Sequence, residues 1–195
     1  MKTTIAAALL LTLALPLVTA EENAAIRDLE VTMKGNPVTL LGTPLKVDDQ
    51  VPDFRVVDGD FNEVQGSSFA GKVLLISTIP SLDTGICSLQ TKRFNDEVAK
   101  FPDNVQALTL SADLPFAQKR FCTAENVDKI KVLSDSVWRD FGLKFGLLIE
   151  NKGLLARSVM VVDSKGKIVY FEIVPEVASH PDYEKALAAV RDASR

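Results

Sequence analysis

Three short, nearly continuous apolar segments constrain the fold of this chain more than any other feature. They lie at residues 73–79, 105–110 and 158–162, and each is rich in Val, Leu or Ile. A strand that is apolar on both faces is typical of the interior of a parallel or mixed sheet, where helices cover both sides. A chain of 195 residues, 47% hydrophobic and 25% charged, is long enough for one such domain and too short for two.

The segments around these strands predict helices and hairpins. Apolar residues at helical spacing predict helices at residues 86–101, 115–121 and 181–190. Asp113 is expected to cap the second helix. Apolar alternation around turn residues predicts hairpins at residues 31–40, 54–64 and 160–171. Three aromatic residues are expected in the core: Trp138, Phe141 and Phe145. We therefore predict an α/β, thioredoxin-like fold, with a central mixed β-sheet flanked by helices on both faces and an N-terminal β-hairpin.

The first 20 residues have the pattern of a secretory signal peptide. Lys2 is followed by an apolar run and then by Val-Thr-Ala at positions 18–20, which predicts cleavage after Ala20. An uncleaved N-terminal anchor is the alternative. Residues 21–30 are interpreted as a polar lead-in and residues 31–195 as the folded domain. The protein is therefore expected to be exported, to the periplasm first and to the medium second, without stable membrane association after cleavage.

Composition excludes several classes of function. The 22 basic and 26 acidic residues give a net charge of -4, which does not favour nucleic acid as a partner. One His and two Cys without metal-ligand spacing do not predict a metal site, and no phosphate-binding or dinucleotide motif predicts a cofactor. The single histidine, His180, precedes Pro181 and is interpreted as a solvated turn residue, which argues against a Ser-His-Asp hydrolase.

The loop after the first core strand carries the residue with the clearest chemical potential. If Thr84 is the N-cap of the following helix, Cys87 occupies the third helical position. Free backbone N–H groups and the helix dipole favour an anion there, so a thiolate would be stabilised. The other interpretation is a small buried apolar residue at a helix start. Local sequence does not decide between the two.

Wider sequence features resemble a known family. The pattern Pro80-x-x-x-Thr84-x-x-Cys87 at a strand-to-helix junction resembles the peroxiredoxin active-site motif. Residues 111–118 read Ser-Ala-Asp-Leu-Pro-Phe-Ala-Gln and are followed by Arg-Phe-Cys ending at Cys122. This segment resembles the one that carries the resolving cysteine in the thiol peroxidase branch of the peroxiredoxins. Two further segments, at residues 35–39 and 153–157, resemble that branch as well, so the similarity spans most of the chain.

The resemblance implies a role for each site residue. Cys87 is implied as the peroxidatic nucleophile and Cys122 as the resolving thiol. Thr84 would hydrogen-bond the sulfur and the peroxide, and Pro80 would shield the pocket from water. Arg157 would complete the site. Without the resemblance, Arg157 would be interpreted as a strand-end residue reaching solvent, although a guanidinium on an apolar strand face needs a polar partner.

The same resemblance implies an activity and partners. The chain is expected to reduce hydrogen peroxide or alkyl hydroperoxides, through a sulfenic acid on Cys87 that Cys122 resolves as a disulfide. No metal, flavin or haem is implied. Thioredoxin-like proteins are the implied electron donors, and a homodimer is a further possibility in this family.

Two other functions stay open at this point. The first is a thiol-disulfide oxidoreductase on the same fold, against which the missing Cys-x-x-Cys motif argues. The second is a secreted, non-enzymatic domain in which Cys87 and Cys122 form a permanent bridge. Such a bridge closes a loop of roughly 35 residues and would stabilise the fold by about 4 kcal/mol in the chain-entropy description.

Overall fold

A mixed seven-stranded sheet forms the centre of the protein, whose computed structural model describes residues 24–195. The predicted signal peptide lies outside the described residues. In their order across the sheet, the strands are β10 (Ile168–Ile173), β9 (Ser158–Val162), β5 (Val73–Thr78), β6 (Val105–Ser111), β7 (Lys131–Ser134), β3 (Arg55–Val57) and β4 (Glu63–Gln65). β6 pairs in parallel with β5 and β7, and the other pairs are antiparallel.

Four helices and a smaller sheet cover the central sheet. The helices are α1 (Gly85–Val98), α2 (Pro115–Glu125), α3 (Asp140–Lys144) and α4 (Tyr183–Ala193). The three-stranded sheet has the order β1 (Ala25–Met33), β2 (Asn36–Leu41) and β8 (Leu148–Ile149). The observed architecture matches the predicted one, a central mixed β-sheet with helices on both faces and an N-terminal β-hairpin.

The alternating side chains of β5 explain how the two faces are covered. Val73 and Leu75 pack in one apolar cluster with residues of α1 and α4. Leu74 and Ile76 pack in another, with residues of α3 and of the small sheet. All six residues of β5 are buried, as the apolar run at its position predicts. One face is therefore covered mainly by helices, and the other by a short helix together with the small sheet.

The first strand starts earlier than the sequence predicts. Residues 21–30 are interpreted above as a polar lead-in, but β1 begins at Ala25, where that residue pairs with Leu41. The register shifts between Ile26 and Val31, so the strand contains an irregularity. Such an irregularity breaks the alternation of apolar and polar residues, which is the pattern that identifies a strand in sequence. The interpretation of the whole segment as a lead-in is therefore wrong.

The aromatic residues near α3 divide between core and surface. Phe141 and Phe145 are fully buried, and their rings stack with centroids 3.9 Å apart, as predicted. Trp138 is only half-buried, and the Arg55 guanidinium lies 4.7 Å from its ring centroid. The prediction of Trp138 as a core residue is therefore wrong, because a cation-π contact at the surface accommodates its ring instead.

A buried carboxylate connects β7 to α3. Asp135 is 1% exposed, and its two oxygens accept hydrogen bonds from the backbone N–H groups of Phe141 and Gly142, at 3.0 and 2.9 Å. Burial raises the pKa of Asp135 to about 6, against the opposing effect of those two hydrogen bonds. The folded protein therefore binds a proton at this side chain more tightly than the unfolded chain does.

This raised pKa predicts a pH-dependent stability. Because the folded-state pKa exceeds the unfolded value, the contribution of Asp135 to stability increases as the pH falls through about 6. Between pH 7 and pH 5 the gain should be about 1 kcal/mol. Urea unfolding of the wild type and of Asp135→Asn at both pH values measures it, because the variant lacks the titrating group. A stability difference between the two proteins that is the same at both pH values would contradict the assignment.

Candidate active site

The loop between β5 and α1 places Cys87 at the start of a helix. Thr84 has an extended backbone, with φ -110° and ψ 144°, and α1 begins at the next residue. The carbonyl of Thr84 accepts a hydrogen bond from the Ser88 N–H at 3.0 Å, which closes the first helical turn. Cys87 is therefore in the first turn, as predicted. The N–H groups of that turn and the positive end of the helix dipole lie near its sulfur.

The Thr84 hydroxyl contacts the sulfur instead of capping the helix. Its Oγ1 lies 2.8 Å from Cys87 Sγ and 3.1 Å from the carbonyl oxygen of Ser81. A hydroxyl has one proton to donate and two lone pairs that accept. Opposite a thiol, Oγ1 can accept from the S–H group and donate to Ser81. Opposite a thiolate, the same proton turns towards the sulfur, so Thr84 serves both protonation states.

Arg157 is buried against the same sulfur. It lies immediately before β9, is 2% exposed, and its Nη2 donates to Cys87 Sγ at 3.1 Å. Its other groups are held by two acceptors: Nη1 donates to Gln90 Oε1 at 2.6 Å and Nε to the Val177 carbonyl at 2.8 Å. The planar guanidinium is thereby fixed in orientation, with one nitrogen left to face the sulfur. The interpretation of Arg157 as a side chain reaching solvent is wrong.

Gln90 is a site residue that the sequence analysis missed. Its Nε2 donates to Ser77 Oγ at 2.7 Å while its Oε1 accepts from Arg157, so its amide is held from β5 and in turn holds the guanidinium. A signal for it exists in the sequence. Gln90 follows Cys87 by three positions and therefore lies on the same face of α1, where a buried amide needs polar partners.

A cavity of about 460 Å³ leads to these groups. Its lining includes Pro80, Thr84 and Arg157, which the sequence predicted for the site, while Cys87 itself is fully buried behind them. Most of the remaining lining is apolar and includes Met33 from the end of β1. The contribution of the N-terminal hairpin to this cavity is a second feature that the sequence analysis missed.

The second cysteine belongs to a different apolar cluster. Cys122 is half-buried on α2 and packs against the cluster under α1 and α4, whereas Cys87 packs with Ile79 and Leu82. Both cysteines are free thiols. Burial raises the pKa of the Cys122 thiol, which favours its protonated form. Phe121, the residue before Cys122, packs against both clusters.

Asp113 connects the Cys87 loop to α2, but not as a cap. The N-cap of α2 is Leu114, and Asp113 Oδ2 instead accepts from the Leu82 N–H and from the Ser111 hydroxyl, each at 2.8 Å. The prediction of Asp113 as the helix cap is therefore wrong. Pro115 at the first helical position explains why: proline has no N–H to be capped, and its ring favours the helix start. The carboxylate is free to hold the active-site loop.

The remaining sequence predictions concern groups outside this cluster. His180 is exposed, and its Nδ1 lies 2.8 Å from the Tyr183 hydroxyl at the start of α4, as expected of a turn residue. Among the described side chains, those of residues 24–26 and 29–195, His, Cys, Asp and Glu do not gather in groups of three or more that could hold a metal ion. None of the helices in that range has both the length and the apolar character that a membrane span requires.

Comparison with known proteins shows which family combines this fold with these residues. The profile of the Redoxin family matches residues 46–187. The chain belongs to the Redoxin family. The thiol peroxidase of Oceanobacillus iheyensis is 52% identical over 158 residues, which cover 81% of this chain and 96% of that protein. The thiol peroxidase of Bacillus subtilis is 51% identical over 162 residues, or 83% and 96% of the two chains. The protein is therefore a peroxiredoxin enzyme.

Solved structures agree with the family assignment. A peroxiredoxin-like protein from Aquifex aeolicus superposes with a TM-score of 0.79 and 42% identity, covering 84% of this chain and 96% of that one. The thiol peroxidase from Chromobacterium violaceum has the same fold, with a TM-score of 0.77 at 20% identity over 85% and 97% of the two chains. Of the functions left open by sequence, the non-enzymatic domain is excluded for this peroxiredoxin.

The geometry around Arg157 predicts a rate effect. We expect Arg157→Met to slow the reaction of the protein with hydrogen peroxide by about tenfold or more, because the variant loses the guanidinium nitrogen that donates to Cys87 Sγ. Arg157→Lys should recover little, because a point charge cannot contact Cys87, Gln90 and Val177 together. Stopped-flow fluorescence measures the rate, with circular dichroism to verify folding. If a folded Arg157→Met protein reacted at the wild-type rate, Arg157 would have no role in the reaction.

Proposed function

We propose that this peroxiredoxin reduces hydrogen peroxide and alkyl hydroperoxides by a cycle of two thiols, with Cys87 as the peroxidatic and Cys122 as the resolving cysteine. The observation that carries the proposal is that two hydrogen-bond donors contact the sulfur of Cys87. Thr84 Oγ1 and Arg157 Nη2 both contact Cys87 Sγ, and both line the cavity that opens to solvent. A peroxide entering this cavity meets the two donors and the nucleophile together.

In the first step, the Cys87 thiolate attacks one oxygen of the peroxide. The S–O bond forms as the O–O bond breaks, so the sulfur is oxidised to a sulfenic acid and the peroxide is reduced. The departing oxygen takes up a proton and leaves as water or as an alcohol. Negative charge moves from the sulfur to that oxygen, and the donors Arg157 and Thr84 are placed to stabilise it there.

Donation to the peroxide matters more than activation of the thiol. Lowering the pKa of a cysteine thiol from about 8.5 to about 6 raises its thiolate fraction at neutral pH about thirtyfold. With a Brønsted slope of about 0.45, the same change lowers nucleophilicity about thirteenfold, so the net gain is only about twofold. A fast peroxidase therefore depends on groups that bind the peroxide and stabilise its leaving oxygen. Pro80 supports them by covering the site from water.

In the second step, Cys122 resolves the sulfenic acid. Its sulfur attacks Cys87 Sγ, the sulfenic oxygen leaves as water, and an intramolecular disulfide forms. A thioredoxin-like reductant then supplies two electrons and returns both thiols. The resting environment of Cys122 keeps it protonated, because burial raises the pKa of its thiol. Leaving the apolar cluster would remove that effect and favour attack.

In this proposal, resolution involves local movement of α1 and α2, because the two thiols pack in different apolar clusters. A disulfide needs the two Cα atoms within about 7 Å. The helices are linked by the Lys92–Glu125 ion pair at 2.6 Å and by Asn95 Oδ1, which accepts the backbone N–H groups of Asp128 and Lys129 after α2. The ion pair is partly exposed and contributes little to stability, so opening the α2 end is less costly than moving β5 or β9.

The proposal also includes export of the protein and a reductant in the same compartment. Its support for export is the signal-like sequence of residues 1–20, and the periplasm is the first expected compartment, with secretion to the medium second. The reductant is then a thioredoxin-like protein of that compartment.

A homodimer stays a prediction. Leu114 and Phe116, which are 58% and 67% exposed at the start of α2, provide an apolar surface for it.

The two cysteines should respond differently to substitution. Cys87→Ser is expected to abolish peroxide consumption, because the attacking sulfur is lost. Cys122→Ser should permit one oxidation per chain and then stop at the sulfenic acid, unless an external thiol rescues it. Peroxide consumption with and without a thioredoxin system, together with mass spectrometry of Cys87, measures both. If both single variants turned over repeatedly with thioredoxin, the assigned roles would be wrong.

Oxidation should also loosen the segments that carry the two thiols. We expect faster backbone amide exchange in the disulfide form at residues 86–91, at residues 115–122, or at both, because helical hydrogen bonds are lost there. Hydrogen-deuterium exchange of the reduced and oxidised proteins measures this, with β5 as the internal reference. Identical protection of both segments in the two redox states would contradict the switching mechanism.

A further inference from the structure

The tip of the N-terminal hairpin, residues 33–36, lies against the segment at residues 174–178. The residue just before the tip is joined to that segment by backbone hydrogen bonds: the Thr32 N–H donates to the Pro175 carbonyl at 2.7 Å, and the Val177 N–H donates to the Thr32 carbonyl at 2.8 Å. Val177 is also the residue whose carbonyl accepts from Arg157 Nε. The hairpin is therefore attached to the segment that orients the guanidinium of the active site.

A single carboxylate holds the hairpin tip itself. Glu176 Oε2 accepts from the Thr32 hydroxyl and the Gly35 N–H, at 2.8 and 2.9 Å. Its Oε1 accepts from the Lys34 and Ala178 N–H groups, both at 2.9 Å. Lys34 and Gly35 have φ values of 53° and 76°, which turn both N–H groups towards one acceptor.

These hydrogen bonds keep the carboxylate ionised. The backbone N–H of Gly35 contributes most, followed by those of Ala178 and Lys34, and together they lower the pKa of Glu176 to about 2. The carboxylate is therefore an acceptor at each of its four contacts at any pH at which the enzyme would operate.

The groups that Glu176 joins are two walls of the active-site cavity. Met33 and Lys34 line it from the hairpin, and Val177 and Ala178 line it from the opposite segment. The same cavity ends on Arg157 and Thr84. Glu176 touches neither the sulfur nor these donors, so its effect on the reaction must pass through the shape of the cavity.

We propose that Glu176 is a positioning residue that fixes the hairpin tip as a wall of the peroxide cavity and thereby sets the preference between organic hydroperoxides and hydrogen peroxide. The inference rests on the proposed function, in which this cavity admits the peroxide. Hydrogen peroxide is small enough to be bound by the donors at the end of the cavity alone. An organic hydroperoxide also places its apolar group against Met33 and Val177, and this contact exists only while the tip is held.

Substituting Glu176 releases the tip selectively. In Glu176→Gln, the amide keeps one accepting oxygen, but its NH₂ group faces N–H donors and cannot accept from them. The backbone bonds of Thr32 with Pro175 and Val177 do not involve the side chain, and neither does the bond from Arg157 to Val177. The substitution therefore acts on residues 33–36 more than on the guanidinium.

The test compares two peroxides on the same protein. Stopped-flow rate constants for oxidation of Cys87 are measured with cumene hydroperoxide and with hydrogen peroxide, for the wild type, Glu176→Gln and Glu176→Asp. We expect the ratio of the organic to the hydrogen peroxide rate constant to fall about fivefold or more in Glu176→Gln. Glu176→Asp retains the charge and should lie between the two. Glu150→Gln, an exposed glutamate at the end of β8, is the matched control and should keep the wild-type ratio.

Each other outcome has a defined meaning. An unchanged ratio in folded Glu176→Gln, whether both rates fall equally or neither falls, overturns the proposal. If Glu176→Gln does not fold, Met33→Ala decides, because it keeps the carboxylate contacts and removes the apolar contact of the wall. A wild-type ratio in Met33→Ala would then overturn it. A wild-type protein that reduces neither peroxide would instead refute the proposed function, so the two failures are distinguishable.

Discussion

The buried guanidinium of Arg157 is the constraint on which the rest of the site depends. A cation that is 2% exposed is costly unless each of its faces finds an acceptor. Those acceptors come from separate parts of the chain: Cys87 and Gln90 from α1, and the Val177 carbonyl from the segment after β10. The sheet brings them together by placing the start of β9 beside the end of β5, where Thr78 pairs with Ser158. The contacts that satisfy this buried charge are therefore the same contacts that build the site.

The two thiols lie in different packing environments within one fold. Cys87 lies behind the cavity that Thr84 and Arg157 line, while Cys122 is in another apolar cluster on α2. Asp113 connects the two regions, because its carboxylate bonds to the loop before Cys87 and lies just before α2. In the proposed cycle, β5 and β9 keep their positions while these segments move.

The small sheet both covers the core and contributes to the active-site cavity. β1 and β2 cover an apolar face of the central sheet, and the turn between them reaches the active-site cavity. The irregularity between Ile26 and Val31 lets one strand do both, because it changes the register partway along the hairpin. Glu176, in the segment that lies against the hairpin tip, accepts hydrogen bonds from the turn and in the proposal thereby fixes both the turn and the cavity wall.

The sequence alone determined the features that depend on neighbours in the chain. The apolar runs predicted β5, β6 and β9, and helical spacing put Cys87 in the first turn of α1, because periodicity and capping are local. The residues Pro80, Thr84, Arg157 and Cys122 followed from resemblance to a family. Only the tertiary structure decided that Gln90 orients Arg157, that Asp113 holds a loop instead of capping a helix, and that β1 begins at Ala25. Each of these depends on contacts between residues far apart in sequence, and such contacts leave no periodic pattern along the chain.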